Sequence, residues 1–163
     1  MSVDIPPAVA APQTFAHAAA SFEFLIEAPL PEAAPLFGPE GERAWAGAEW
    51  DPRFLHPSPA GDIEGAVFTT THGPQRSVWV NTQFDLTQGR IQYVVFLPGV
   101  MTTTITVRLS AHGARTRASV TYARTALSPE ANDRVAEASR NDATKGPEWR
   151  DAIAAMLRGR PRD

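Results

Sequence analysis

Residues 64–126 read EGAVFTTTHGPQRSVWVNTQFDLTQGRIQYVVFLPGVMTTTITVRLSAHGARTRASVTYARTA, and this stretch decides the fold. It contains five runs rich in Val, Ile, Thr, Phe, Tyr or Trp, and a glycine stands in every join between them. Runs of this kind, separated by short glycine-containing turns, predict five consecutive antiparallel strands.

The register of these strands follows from keeping one face apolar, because a slip of one residue sends every side chain to the opposite face. Turn lengths chosen on that basis pair Tyr93 with Ile105, Ile105 with Val120, and Val80 with Val95. One apolar face and one polar face are typical of an antiparallel sheet that is covered on one side. The predicted inner face consists of Val67, Thr69, Thr71, Val78, Val80, Thr82, Phe84, Ile91, Tyr93, Val95, Leu97, Met101, Thr103, Ile105, Val107, Leu109, Thr116, Ala118, Val120 and Tyr122.

Large apolar residues on the nominally outer face break this pattern. In the predicted register, Phe68, Trp79 and Phe96 point away from the core. One interpretation is a β-bulge that turns Trp79 inward. The other is an exposed apolar patch through which two copies of the chain form a homodimer.

The segment before the sheet predicts a loose arm at 1–17, a strand at 18–27 and two short helices. Prolines begin those helices, at 31–37 and 39–45, because proline fits the first helical position. An irregular edge strand is expected near 50–55, where two prolines interrupt the pairing.

The segment after the sheet predicts a C-terminal helix that starts at Ser128 and is interrupted at Gly146-Pro147. Its second half carries an apolar stripe that should lie across the inner face, formed by Trp149, Ile153, Met156 and Leu157. The expected organisation is a single ligand-binding domain at 18–158, followed by a tail at 159–163.

The composition is that of one ordinary globular domain. The chain has 163 residues, of which 43% are hydrophobic and 20% charged, and its net charge of -3 argues against a general nucleic-acid binder. Cysteine is absent, which excludes disulfides and a cysteine nucleophile. No apolar run is long enough to span a membrane, and the amino end lacks the basic region of a signal peptide, so a cytoplasmic location is expected.

Local motifs add a resemblance to a known superfamily. The motifs are Pro35-Leu36-Phe37, Gly41-Glu42-Arg43-Ala44-Trp45, Trp50-Asp51-Pro52-Arg53-Phe54-Leu55, Gly65-Ala66-Val67-Phe68, Trp79-Val80-Asn81-Thr82 and Leu127-Ser128-Pro129-Glu130. Together they cover about residues 20–135. The chain resembles the START-like (SRPBCC) superfamily, which includes the birch pollen allergen and lipid-transfer domains, and especially its bacterial polyketide cyclase/dehydrase-like members.

This resemblance implies an α+β helix-grip fold. In that fold a curved antiparallel sheet of about seven strands wraps around a C-terminal helix, two short helices follow the first strand, and a cavity lies between sheet and helix. Gly146-Pro147 departs from the single continuous helix that the resemblance implies.

The residues themselves also predict a cavity, because one helical stripe cannot fill an inner face of some twenty side chains. Hydroxyl groups in its apolar wall need partners, which a ligand with a few polar groups could supply. We therefore expect a small apolar or aromatic ligand, and the resemblance implies that it is lipid- or polyketide-like. The predicted ligand-binding residues are Trp45, Trp50, Phe54, Thr69, Thr82, Tyr93, Thr103, Ile105, Val120, Tyr122, Trp149 and Ile153.

Catalysis is the alternative function. The predicted inner face has no ionisable side chain besides tyrosine, so a cyclase or dehydratase would depend on Asp51 and His56 near the entrance. A protein-interaction module is a third, weaker hypothesis. No two histidines stand at metal-ligand spacing and no glycine-rich phosphate loop is present, so no metal or cofactor is expected.

Overall fold

The computed structural model of the protein describes residues 12–159; residues 1–11 of the predicted arm and 160–163 of the predicted tail lie outside this range. The strands are β1 His17–Ile26, β2 Arg53–His56, β3 Val67–His72, β4 Gln75–Asp85, β5 Arg90–Leu97, β6 Met101–His112 and β7 Arg115–Ala126. The helices are α1 Leu30–Ala33, α2 Pro39–Glu42, α3 Asn132–Asp142 and α4 Gly146–Arg158, with 3-10 turns at Ala34–Phe37 and Pro129–Ala131.

All seven strands form one antiparallel sheet in the order β1-β7-β6-β5-β4-β3-β2. The chain therefore runs as a meander from β2 to β7, and β1 closes the sheet beside β7, with Phe22 opposite Val120. The described part of the predicted arm is attached, since Asn132 accepts a hydrogen bond from the Ala16 amide and donates one to the Thr14 carbonyl.

The predicted register holds between β5 and β6, where Tyr93 lies opposite Ile105. Between β6 and β7 it is shifted by two residues, so that Ile105 lies opposite Tyr122 instead of Val120. The turn there begins at Gly113, whose φ is 64°. Glycine at the first central position is the type II′ hairpin preference, and it places the turn one residue later than predicted. An even shift leaves every side chain on its predicted face.

A β-bulge in β4 confirms the first interpretation of Trp79. Pairing is as predicted at Phe84, but it shifts between Asn81 and Gln83, so that Trp79 lies opposite Val95. Because the bulge adds one residue to β4, the strand beyond it changes faces. Trp79 therefore points inward and stacks on Phe68, with ring centroids 5.5 Å apart.

The same bulge corrects two predictions. Val78, Val80 and their β3 partners Val67 and Thr69 lie on the outer face, not the inner one. The predicted dimer patch is also wrong in composition. Phe68 is fully buried and Trp79 is packed inside, which leaves only Phe96 of the three exposed.

The C-terminal helix is split rather than kinked. α3 ends at Asp142 and α4 begins at Gly146, next to Pro147, which cannot continue a helical hydrogen-bond ladder. α4 buries Ile153 and packs Trp149 edge-on against Phe22, with ring centroids 5.3 Å apart. The predicted stripe thus covers the inner face near β1.

Candidate functional site

A cavity of about 250 Å³ lies between the middle of the sheet, the short helices and the start of α4. Residues of β4 to β7 form its floor, the α2 region covers one side, and the first turns of α4 cover the other. Its lining residues are Glu42, Trp45, Ala46, Trp50, Trp79, Tyr93, Ile105, Val107, Tyr122, Lys145, Glu148, Trp149 and Ala152.

The aromatic wall is held in place by hydrogen bonds to the short helices. The indole N–H of Trp45 donates to the Leu36 carbonyl at 2.8 Å, and that of Trp50 donates to the Pro39 carbonyl at 2.8 Å. Trp45 meets Trp149 edge to face, with ring centroids 5.1 Å apart. Trp45 and Trp50 therefore anchor the short helices and line the cavity at the same time.

A second void of about 180 Å³ lies on the inner face next to the first. The two voids share Trp79, Ile105 and Tyr122 in their walls. The second one also reaches Thr103 and Arg124. The two voids therefore lie on either side of shared side chains of the inner face.

Ionisable groups face this interior. Arg124 on β7 corrects the prediction that the inner face of the sheet has none besides tyrosine, and the others come from the helical segments. Glu42, Lys145 and Glu148 line the first void, and Arg124 lines the second. Arg124 follows Tyr122 by two residues on β7, so the period of two that placed Tyr122 inside also places Arg124 there. Glu42 lies on the short helix α2, where no strand pattern could have revealed it.

The Glu42 carboxyl is half-buried in the cavity wall. Burial raises the pKa of Glu42 well above its usual value, and the nearby charge of Asp62 raises it further. Asp62 itself accepts hydrogen bonds from the amides of Glu40, at 2.8 Å, and Gly41, at 3.1 Å. Two acidic groups thus lie close together at the α2 end of the cavity.

Both tyrosines of the cavity are protonated. Burial raises the pKa of Tyr93 and of Tyr122, and the negative charge of Glu42 adds to the effect in each case. The Tyr93 hydroxyl donates to the Phe37 carbonyl at 2.7 Å.

Arg124 is committed to Asp142 at the end of α3. Its guanidinium donates Nε–H to one carboxylate oxygen of Asp142 at 2.6 Å and Nη2–H to the other at 2.9 Å. Nη1 donates to the Thr103 hydroxyl at 3.1 Å, and the guanidinium carbon lies 5.0 Å from the centre of the Tyr122 ring. This ion pair fastens α3 to the sheet and supports the Tyr122 ring.

The structure brings together seven of the twelve predicted ligand-binding residues. Six line the first void, namely Trp45, Trp50, Tyr93, Ile105, Tyr122 and Trp149, and Thr103 lines the second. Val120 and Ile153 are buried in the core without lining either void, and Phe54 packs against Phe68.

The inward placement of two threonines is wrong. Thr69 lies on the outer face because of the bulge in β4. Thr82 is the bulged residue itself; it is exposed, and its hydroxyl donates to Gln92.

The predicted pair of Asp51 and His56 is not assembled. Asp51 binds Arg43 at 3.3 Å and Arg53 at 2.6 Å, and these guanidinium groups, Arg43 first, lower its pKa. His56 is exposed on the edge strand β2, and neither residue lines the cavity. Within residues 12–159, no cluster of three His, Asp or Glu side chains could hold a metal ion. None of the described helices is long and apolar enough to cross a membrane.

No family model matches the sequence, and no curated protein matches it. Solved structures do share its fold. An uncharacterised protein from Rhizobium leguminosarum superposes with a TM-score of 0.64 at 16% identity, covering 90% of this chain and 98% of that one. Norcoclaurine synthase from Thalictrum flavum gives 0.63 at 11% identity, covering 98% and 100%. Ara h 8.0201 gives 0.58 at 11% identity, covering 88% and 100%.

These similarities confirm the fold class. The protein has the α+β helix-grip fold of the Bet v1-like proteins, with a seven-stranded curved antiparallel sheet and C-terminal helices. At identities below one fifth the resemblance is one of fold, and the chemistry of this chain has to be argued from its own cavity.

Proposed function

We propose that residues 18–158 form one binding domain that holds a small apolar or aromatic molecule between the sheet and α4. One observation carries this proposal. The chain has four tryptophans and two tyrosines, and all six line the same cavity, whereas none of its eight phenylalanines does. Tryptophan and tyrosine combine a flat apolar ring with a hydrogen-bonding group, which suits the wall of a site for aromatic guests.

The dimensions are consistent with a compact aromatic ligand or with a longer, polyketide- or lipid-like one. The first void of about 250 Å³ is close to the lower end of typical small-molecule sites. The second void, of about 180 Å³, also borders Tyr122, and the Arg124 guanidinium in its wall is already paired with Asp142.

The test is a substitution in α4 that places a larger side chain in the cavity. Ala152 lines the cavity, whereas Ala155 is exposed on the same helix. Ala152→Phe should weaken binding of the neutral fluorescent probe N-phenyl-1-naphthylamine by about ten-fold or more, a change of about 1.4 kcal/mol. The matched variant Ala155→Phe should bind as the wild type does. Equal binding by both variants, or no binding by the wild type, would refute the proposal.

Native mass spectrometry of the purified protein provides a second test. A co-purified small molecule should be present in the wild type and depleted in Ala152→Phe.

Two further variants test whether side chains of the inner face contact the ligand. Tyr122→Phe removes a hydroxyl from the cavity and should weaken binding of a polar aromatic probe, whereas Thr102→Ala, on the outer face of β6, should not.

A cyclase or dehydratase is the second candidate function. The observation that favours it is the presence of Glu42 and Tyr122 in the cavity wall, because acid–base catalysis needs an ionisable group within reach of the substrate. One protein of the same fold is, by its name, a synthase. Glu42→Gln should abolish any turnover of a polyketide-like substrate, whereas His56→Gln should not.

The hypothesis of a protein-interaction module has no support from Trp79, because this side chain is packed inside the protein and not exposed.

A further inference from the structure

We propose that the ligand carries a protonated amine, which binds between the Glu42 carboxylate and the Tyr122 hydroxyl at the indole-lined end of the cavity. This inference rests on the proposed function and names the ligand's polar group. It distinguishes an aromatic amine from the neutral and anionic guests that an apolar cavity would otherwise accept.

The part of the chain that the structure describes offers the Glu42 side chain no partner. Its backbone is fixed in α2, where its amide donates to the Gly38 carbonyl at 2.8 Å, and its side chain faces the cavity. Within residues 12–159, no ion pair joins it to Lys145, and its carboxyl accepts no hydrogen bond. The adjacent Arg43 is engaged by Glu40 and Asp51. A half-buried carboxylate without donors is costly, so an occupant that supplies N–H donors is favoured.

Tyr122 provides a second unpaired polar group, on the sheet floor of the cavity. Its side chain is only 8% exposed, and it lines both voids. The described residues offer its hydroxyl no hydrogen-bond partner, in contrast to Tyr93, whose hydroxyl is used by Phe37. This oxygen is therefore available to accept a hydrogen bond from a ligand in the cavity.

The local electrostatic field favours a cation. Apart from burial, the influences on the Tyr122 hydroxyl are mostly negative charges, those of Glu42, Asp142 and Glu148, and Arg124 alone opposes them. At Tyr93 the charges that act are those of Glu42 and Asp62. Among the described residues, Lys145 is the one positive side chain in the wall of the first void. The balance of charge disfavours a carboxylate ligand such as a fatty acid and favours an ammonium group.

The indole rings of Trp45 and Trp149 complete the proposed amine site. Trp45 lies one helical turn after Glu42, and its amide donates to the Glu42 carbonyl at 3.0 Å. Its ring and that of Trp149 meet at the same end of the cavity. Tryptophan is the best of the aromatic side chains at attracting a cation over its face, and the effect grows when the site is desolvated.

The experiment compares three ligands that share one naphthyl ring. They are 2-(1-naphthyl)ethylamine, which is protonated at pH 7, the neutral 2-(1-naphthyl)ethanol, and the anion 1-naphthaleneacetate. Each displaces N-phenyl-1-naphthylamine from the wild type, from Glu42→Gln, and from Glu49→Gln, a control with the same charge change at an exposed position outside the cavity. The amine should bind about ten-fold more tightly than the alcohol, as a charge-assisted hydrogen bond predicts, and the acid should bind most weakly.

In Glu42→Gln the preference for the amine over the alcohol should disappear, whereas Glu49→Gln should keep this preference as the wild type does. Equal binding of all three ligands, tightest binding of the acid, or an amine preference that survives Glu42→Gln would each overturn this inference and leave the proposed function intact. Failure of N-phenyl-1-naphthylamine itself to bind would overturn both.

Discussion

Asp142→Asn should destabilise the protein more than any other single neutralisation of a paired surface or core carboxylate. Asp142 is 1% exposed and receives two hydrogen bonds from Arg124, at 2.6 and 2.9 Å. Removing one partner of a buried ion pair typically costs about 3–5 kcal/mol, because the other charge is left unpaired. Arg124 keeps its bond to Thr103 and borders the second void, so we expect a value near the lower end, about 3 kcal/mol.

The assay is urea unfolding at pH 7, followed by tryptophan fluorescence and by circular dichroism. With a slope of about 2 kcal/mol per molar urea, a loss of about 3 kcal/mol lowers the midpoint by about 1.5 M. The matched control is Glu27→Gln, which breaks the pair with Arg115 at 3.3 Å, where the side chains are 67% and 42% exposed. Such exposed pairs contribute about 0–1 kcal/mol, so the control should barely move the midpoint.

A double variant separates the value of the pair from the penalty of an unpaired charge. Arg124→Met combined with Asp142→Leu should recover much of the stability lost in Asp142→Asn, because apolar residues of similar volume replace a buried pair at little cost. If Asp142→Asn shifts the midpoint no more than Glu27→Gln does, the conclusion that this ion pair fastens α3 to the sheet is refuted.

Two further predictions concern stability. The pKa of Glu42 is higher in the folded protein than in the unfolded chain, so its contribution is fully favourable below the unfolded pKa and is lost as pH rises through the folded pKa. Glu42→Gln should therefore raise Tm at pH 7 and change it little near pH 4. At pH 7, each unit of difference between the folded and unfolded pKa corresponds to about 1.4 kcal/mol of unfolding free energy. A lower Tm at pH 7 would contradict the burial of this group. The second prediction compares two glycines with positive φ, Gly89 at 63° and Gly99 at 69°. A Cβ on Gly89 would lie 2.2 Å from the Leu109 carbonyl oxygen, whereas a Cβ on Gly99 would meet nothing within 4 Å. Gly99→Ala should cost about 1–2 kcal/mol for the left-handed backbone, and Gly89→Ala clearly more, as measured by thermal unfolding; equal losses would show that the contact with Leu109 relaxes freely.

The period of two residues was sufficient to place the side chains of the last three strands. Tyr93, Ile105 and Tyr122 face inward as predicted, even though the β6–β7 register is shifted by two. A register shift of two residues does not change the face on which a side chain lies, because side chains alternate along the strand regardless of which residues pair. The same alternation, continued two residues beyond Tyr122, predicts that Arg124 also faces inward.

Strands β3 and β4 could not be placed in this way. The bulge between Asn81 and Gln83 inserts one residue, and an odd insertion reverses every face beyond it. Val78 and Val80 are as apolar as Phe68 and Trp79, so local pattern alone does not choose between them. Packing decides, because the larger aromatic rings bury more area against Trp50 and Tyr93 than the valines would.

The amino-acid sequence by itself determined the seven strands, the short helices, an interruption of the C-terminal helix at Gly146-Pro147 and the aromatic character of the interior. These features follow from local alternation, proline positions and composition. Tertiary structure alone decided that the six tryptophan and tyrosine rings surround one space, that Asp51 pairs with arginines and not with His56, and that Glu42 faces the cavity. The physical reason is that these relations depend on how a short helix and a bulged strand approach across the sheet, and residues far apart in sequence carry no local mark of that approach.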